Sequence, residues 1–200
     1  MKDVLLYVHI AAGGLSLCTG TLIAVLRKGN QVHRNAGRGY CLCMALTCLS
    51  GALLSLYIES PFLLAIAAFS ASLTWNGWRW RPSGNQVWES RIGLVLGMVT
   101  ALLLIWQTVQ GIWFSGIFAL ICLIQLMPEI KYHKRPIAFE QRNILHIQGI
   151  GGSLISAWTA FIVVNYTWNH AWIAWLTPTL IGSLLISYAI RKRKLNRIAA

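Results

Sequence analysis

The chain has 200 residues, of which 56% are hydrophobic and 11% are charged, and its mean hydropathy is +0.60. Soluble domains carry about 25% charged residues, so this composition excludes an ordinary soluble class and favours a membrane protein. The formal net charge of +12 comes without zinc-ligand spacing, a helix-turn-helix pattern or aromatic strand motifs. We therefore expect no nucleic-acid partner.

Apolar runs alternate with polar or basic segments along the chain, and we interpret seven of them as membrane-spanning helices. The predicted spans lie near 4–26, 40–58, 62–78, 92–106, 112–127, 143–165 and 172–190. No charged residue occurs between Arg91 and Glu129, a stretch too long for one helix across a core of about 30 Å. We expect the chain to reverse there, near Gln107–Gly111. The predicted fold is all-α, a single polytopic transmembrane helical bundle over residues 1–200.

A basic, glycine-punctuated stretch separates the first two apolar runs, from Arg27 to Tyr40. Its density of cationic side chains predicts a loop in water or against lipid headgroups. Gly29, Gly37 and Gly39 are expected to shape this loop, because glycine reaches positive φ without steric cost.

The distribution of basic residues predicts the orientation. With seven spans, every Lys and Arg except Lys2 falls on one side of the bundle. The positive-inside rule then places the N-terminus outside and the C-terminus in the cytoplasm. The cytoplasmic loops are expected to contact anionic lipid headgroups.

The cysteines all fall within apolar runs, and they are Cys18, Cys41, Cys43, Cys48 and Cys122. Their odd number and placement predict free thiols rather than a disulfide framework. Cys41 and Cys43 would point about 200° apart on a helix, so we predict no metal site.

Two histidines share a helix face with small residues: His9 with Gly13 in the first span, and His146 with Gly149 in the sixth. Such faces mark close helix packing, so both imidazoles are expected to face the bundle and mark sites. One interhelical hydrogen bond per histidine is the alternative interpretation. At 1.5 Å per residue the two lie about 20 Å apart along the membrane normal, which predicts two separate pockets.

The inner-pocket candidates are His33, Arg34, Arg38, Asn143, His146 and Gln148, with Asn76 and Gln125 as further polar groups. The outer-pocket candidates are His9, Gln107 and Asn165, with Glu59, Gln110 and His170 nearby. No predicted span has an acidic or basic residue in its middle, which disfavours a proton-relay pump or a retinal protein.

The segments His9-Ile-Ala-Ala-Gly13, Arg27-Lys-Gly29 and His33-Arg-x-x-Gly37-Arg38 resemble an uncharacterised bacterial membrane family, the domain of unknown function 2306. His146 followed by Thr159-Ala-Phe-Ile-Val-Val164 is a looser match. The resemblance implies a multi-helix protein of the bacterial plasma membrane. It implies matching positions at His9, His33, Arg34, Gly37, Arg38 and His146, and no established reaction.

Three functions stay open from the sequence. The first is a redox protein that binds haem b or a quinone, with His33 and His146 as the histidine pair at compatible depth. The second is a transporter or binding protein for a small molecule. The third is a non-catalytic membrane component that binds anionic lipid. The sequence identifies no catalytic residue.

Overall fold

The computed structural model describes residues 2–81, 87–133, 136–166 and 170–198, and these ranges contain helices and no strand. The helices are α1 (Lys2–Val25), α2 (Gln31–Tyr57), α3 (Pro61–Arg79), α4 (Val87–Val109), α5 (Ser115–Lys131), α6 (Phe139–Asn165) and α7 (Ala171–Ile198). The described residues confirm the predicted all-α bundle of seven helices. Lys134 and Arg135, assigned to a basic loop from the sequence, lie outside them.

Within the described ranges, five helices are long and apolar enough to cross a membrane, namely α1, α2, α4, α6 and the Trp172–Lys192 part of α7. Helices α3 and α5 do not belong to this set, although both were predicted as spans. Helix α3 is the central helix, because it packs against α2, α4, α5 and α6. Its polar residues, such as Ser72, Thr74 and Asn76, are therefore buried in protein and do not face lipid.

The prediction of a loop as far as Tyr40 was wrong, because α2 already begins at Gln31. Asn30 caps this helix by accepting a hydrogen bond of 2.8 Å from the backbone N–H of His33. An N-cap asparagine satisfies one of the amides that the first helical turn leaves unpaired. Gly29 has the expected positive φ, at +84°, whereas Gly37 and Gly39 are helical.

Other helices also extend beyond the predicted spans, with consequences for the site. Helix α3 continues through Arg79, α4 begins at Val87, and α5 continues through Pro128 to Lys131. Pro128 lies just beyond the predicted end of the fifth span at residue 127, yet it is part of the last helical turn, where the backbone amide of Tyr132 donates to its carbonyl at 2.9 Å. Charged residues that were assigned to loops thereby become part of the bundle.

The connections agree with the local sequence signals. Ser60 caps α3, and Pro61 occupies its first turn, where a missing N–H has no cost. The chain reverses between α4 and α5, where Gly111 has φ of +98° inside the predicted turn region. Helix α7 runs past residue 190 to Ile198, so the predicted solvated tail is helical in its backbone.

Candidate functional site

Helices α3 and α6 approach each other through two glycines. A Cβ on Gly149 would lie 2.3 Å from the backbone nitrogen of Gly77. One turn before Gly149, His146 lies 2.6 Å from the Gly77 carbonyl oxygen through its Nδ1, which donates in the matching tautomer. The backbone contact between the two helices thus fixes the position of His146 against α3.

A cleft of about 410 Å³ lies between α3, α5, α6 and α7. It exists because the backbone of α5 packs against α3 and α4, while that of α7 packs against α6. In the described part of the chain, α5 and α7 meet through aromatic rings: those of Phe118 and Trp175 have centroids 6.3 Å apart. Beyond this contact the cleft separates the two helices.

The two ends of the cleft differ in chemistry. One end is lined by aromatic rings, those of Phe69, Phe118 and Trp175, together with serine and threonine hydroxyl groups. The other end carries four amide side chains: Asn76, Gln125, Gln141 and Gln148. The Nδ2 of Asn76 donates to Oε1 of Gln125 at 3.2 Å, whereas Oδ1 of Asn76 is buried without a hydrogen-bond partner among the described residues. The described lining contains no charged side chain.

A cluster of buried charges lies beside the amide end. Arg79 and Glu129 are both 0% exposed, and Nη1 of Arg79 lies 3.0 Å from each carboxylate oxygen of Glu129. A second pair joins Nη2 of Arg81 to Oε1 of Glu89 at 3.0 Å, with Glu89 1% exposed. Burying a charge is costly unless it is paired and hydrogen-bonded, so these pairs hold the ends of α3, α4 and α5 together.

Aromatic rings pack against both cations of this cluster. The guanidinium of Arg79 lies 3.9 Å from the ring centroid of Trp80, and that of Arg81 lies 4.1 Å from the ring of Trp78. Trp80 also lines the cleft. Cation–π contacts of this kind gain strength where water is excluded, as it is around Arg79.

A hydrogen-bonded chain leads from the surface into the cluster. Nδ1 of the half-buried His133 lies 2.7 Å from Oγ of Ser90, and this hydroxyl donates to Oε2 of Glu129 at 3.4 Å. Ser90 itself is 0% exposed. A serine hydroxyl accepts and donates at the same time, so it connects the imidazole to the buried carboxylate.

The sequence interpretation missed this cluster. The predicted spans ended at residues 78 and 127 and began at 92, which left Arg79, Glu89 and Glu129 in loops. One signal was available: the chain has only five acidic residues, and Glu129 follows a long uncharged run directly after Pro128. An acidic residue next to such a run is a candidate for burial with a cationic partner.

The inner-pocket candidates divide into two groups. Gln148 lines the cleft, as do Asn76 and Gln125, while the other candidates are not part of its wall, namely His33, Arg34, Arg38, Asn143 and His146. Arg34 is exposed and donates to the Gly29 carbonyl at 2.7 Å and to Oε1 of Gln31 at 2.6 Å. Its guanidinium therefore stabilises the start of α2.

The outer-pocket candidates have separate surroundings. His9 lies 3.0 Å from the carbonyl of Thr47 through its Nδ1, which joins α1 to α2. Gln107 is buried on α4. Nδ2 of Asn165 donates to Phe161 within α6, at 2.8 Å. In the described ranges no hydrogen bond links these three residues, so a common outer pocket stays a prediction.

Among the described residues, no three His, Cys, Asp or Glu side chains converge in a way that would hold a metal ion. The five cysteines are all free, as predicted.

The fold and the apolar helices are those of a multi-pass integral membrane protein with a lipid bilayer around it. In comparisons with known proteins, no family, no curated protein and no solved structure matches the chain.

Proposed function

We propose that the protein binds a neutral, amphipathic, membrane-soluble molecule in the cleft between α3, α5, α6 and α7. The observation that carries this proposal is the division of the cleft into an aromatic end and an end with four amide side chains. Its volume of about 410 Å³ is within the range of small-molecule sites.

The lining favours a neutral head group. A charged group would lose hydration on entering a wall without charged side chains, at a cost that the amides do not offset. Amide side chains offer both donors and acceptors, which suit a carbonyl or hydroxyl oxygen. A ring with oxygen substituents and an apolar tail, as in a quinone or quinol, matches both ends of the cleft. The protein is thus a binding or transport protein, or a quinone-dependent redox protein.

Tryptophan fluorescence tests the proposal, because Trp80 and Trp175 line the cleft. We expect a short-tailed 1,4-benzoquinone to quench the emission of the purified protein in a saturable way. An alkyl sulfate of similar length should not compete, because its head group is charged. Quenching that rises linearly with quinone concentration would contradict specific binding.

Two substitutions on α7 distinguish binding in the cleft from binding elsewhere on the protein. Ser183 lines the cleft, so Ser183→Phe should fill it and weaken quinone binding at least about tenfold, or 1.4 kcal/mol. Ala189 lies on the same helix, is exposed and is not part of the wall. Ala189→Phe adds a similar volume and should leave binding unchanged.

Haem b ligation by His33 and His146 stays a prediction. The hydrogen bond from His146 to Gly77 supports haem ligation, because it orients the imidazole ring as hydrogen bonds from the second ring nitrogen do in metal-ligating histidines. The visible absorption spectrum of the purified protein checks it, since bound haem absorbs strongly.

We further propose that the protein belongs to the bacterial plasma membrane, with its N-terminus outside and its C-terminus in the cytoplasm. If all seven helices cross the membrane, every Lys and Arg except Lys2 falls on one side in the sequence, and this distribution supports the orientation. Anionic lipid headgroups are then the proposed partners of the basic segments. Kinship with the domain of unknown function 2306 is likewise proposed on the histidine and glycine positions given above.

A further inference from the structure

The buried cluster beside the cleft has three features that an ion pair made only for stability does not need. Glu129 is 0% exposed, yet a chain of hydrogen bonds links it through Ser90 to His133. His133 is half-buried and lies just after α5, so it is open to exchange with water. The buried carboxylate therefore has a route to solvent.

The second feature is an acceptor without a donor. Oδ1 of Asn76 has no hydrogen-bond partner among the described residues, although Asn76 is only 4% exposed. A Cβ on Gly93 would lie 3.3 Å from this oxygen and 3.4 Å from Oε2 of Glu129. Because Gly93 has no side chain, the amide of Asn76 and the carboxyl group of Glu129 both face the same gap beside α4. A protonated Glu129 would have an O–H to donate, and Asn76 Oδ1 is an acceptor in need of one.

The third feature is the balance of charge around Glu129. The charged groups that face the cluster are Arg79 of α3, Arg81 after it, Glu89 of α4 and Arg142 of α6. Arg79 is within electrostatic reach of Glu89 as well as Glu129. If Glu129 becomes neutral, Glu89 still compensates part of the charge of Arg79, although its own ion pair is with Arg81. The side chain of Arg81 is 24% exposed, so water compensates part of its charge.

We infer that Glu129 is a proton-binding site, loaded from solvent through His133 and Ser90 and facing the amide end of the cleft through Asn76. In the transfer, Nδ1–H of the imidazolium of His133 passes its proton to Oγ of Ser90, while the serine hydroxyl passes its own proton to Oε2 of Glu129. His133 is left neutral and Glu129 protonated. Solvent then protonates His133 again, and the reverse sequence empties the site.

This inference does not depend on a ligand in the cleft, so its failure and the failure of quinone binding are distinguishable. Its test uses the full-length protein in detergent without any ligand. Infrared difference spectra between about pH 9 and about pH 5 should show the C=O stretch of a buried protonated carboxyl group. Glu129→Gln should remove this band. If that variant does not fold, Glu129→Asp keeps the acid and shifts the band, which assigns it equally well.

The route is tested by the rate at which the band appears after a rapid drop in pH. Ser90→Ala removes the connecting hydroxyl and should slow the appearance about 100-fold, the lower end of what a positioned proton-transfer group contributes. His133→Gln should slow it too. Thr100 is the matched control, because it is a fully buried hydroxyl on the same helix outside the chain, so Thr100→Ala should keep the wild-type rate.

Two results would overturn the inference. If no band that depends on Glu129 appears over this pH range, Glu129 is a permanently ionised partner of Arg79. If the band appears at the same rate in wild type, Ser90→Ala and His133→Gln, protons reach Glu129 by another route.

Discussion

Gly77 and Gly149 bring α3 and α6 into backbone contact, since a Cβ on Gly149 would lie 2.3 Å from the nitrogen and 2.5 Å from the Cα of Gly77. Small residues at such crossings are typical of membrane helices, where close van der Waals contact drives association. The crossing lies at the amide end of the cleft, whose wall includes Gly149 and the neighbouring Asn76 and Gln148. It therefore sets the geometry of the site as well as the stability of the bundle.

Gly149→Ala should strongly destabilise the bundle. The added methyl group meets backbone atoms, which cannot turn away as a side chain can, so the helices must separate. Overpacking of this kind costs about 1–3 kcal/mol, and contact with backbone places this site at the upper end. Thermal unfolding of the purified protein, followed by circular dichroism, measures the loss.

Gly14→Ala is the control for this substitution. It lies on α1 with nothing within 4 Å of the position of an added Cβ. Alanine also favours a helix over glycine by about 1 kcal/mol, so stability should be unchanged or slightly higher. Equal destabilisation by the two substitutions would contradict the proposed role of the α3–α6 crossing.

The Tyr40–Ser153 hydrogen bond should contribute modestly to the contact of α2 with α6. The two oxygens lie 2.7 Å apart and both residues are 0% exposed. Tyr40→Phe removes the bond at a cost of about 0.5–1.5 kcal/mol. We expect the lower half of this range, because Oγ of Ser153 keeps its bond to the Ile150 carbonyl at 2.9 Å. The same change at exposed Tyr57 should have no measurable effect on unfolding.

Gln125→Leu should weaken quinone binding without unfolding the protein. It removes one amide from the polar end of the cleft and the partner of Asn76 Nδ2. The loss of one hydrogen bond to a neutral ligand is worth about 1 kcal/mol, or about fivefold in affinity. Fluorescence titration measures it, and Gln110→Leu, at an exposed position after α4, is the control. If Gln125→Leu binds the quinone with unchanged affinity, the amide end of the cleft is not part of the binding site.

The proposed orientation predicts where a reporter fused after Ala200 is active. A reporter that needs the cytoplasm should work at this position, and one that needs the outer side should not. Activity of the outer-side reporter alone would reverse the orientation. Single replacement of Arg191 and Lys192 should not alter the result, because the bias is spread over several basic segments.

The order of helices was predictable because apolar runs and basic segments alternate over lengths that a bilayer sets. The turn near Gly111 followed from the same argument. The start of α2 was missed because cationic residues were taken as a sign of a loop. In fact the N-cap Asn30 starts a helix whose first turns carry the exposed Arg34 and Arg38. A high density of charged residues predicts that a segment is exposed to solvent, and an exposed segment can still be helical.

The cleft and the ion pairs depend on contacts between helices distant in sequence. Gln148 and Gln125 were recognised as polar groups in the sequence. That they line the same cleft depends on the separation of α5 and α7, and no local sequence pattern encodes this separation. The pairing of Arg79 with Glu129, 50 positions apart, is of the same kind. Local patterns place residues on helix faces, and only the packing decides which faces meet.

The Arg79–Glu129 pair gives the last prediction, which concerns stability. Glu129→Leu leaves the guanidinium of Arg79 buried without its closest carboxylate, since both side chains are 0% exposed. Breaking a buried pair from one side costs about 3–5 kcal/mol, and we expect the lower end because Glu89 still compensates part of the charge of Arg79. Arg79→Met alone should cost less, because Glu129 can bind a proton and become neutral, as inferred above.

Removing both charges should recover most of this loss. The double variant Arg79→Met/Glu129→Leu leaves no unpaired charge at this position, and apolar replacement of a buried pair is often neutral or stabilising. Its midpoint of thermal unfolding should lie close to that of the wild type and above both single variants. The exposed Lys131, on the same helix, is the control, and Lys131→Met should leave the midpoint unchanged. If the double variant is as unstable as the singles, the loss comes from disturbed packing around Trp80 and Ser90 and not from an unpaired charge.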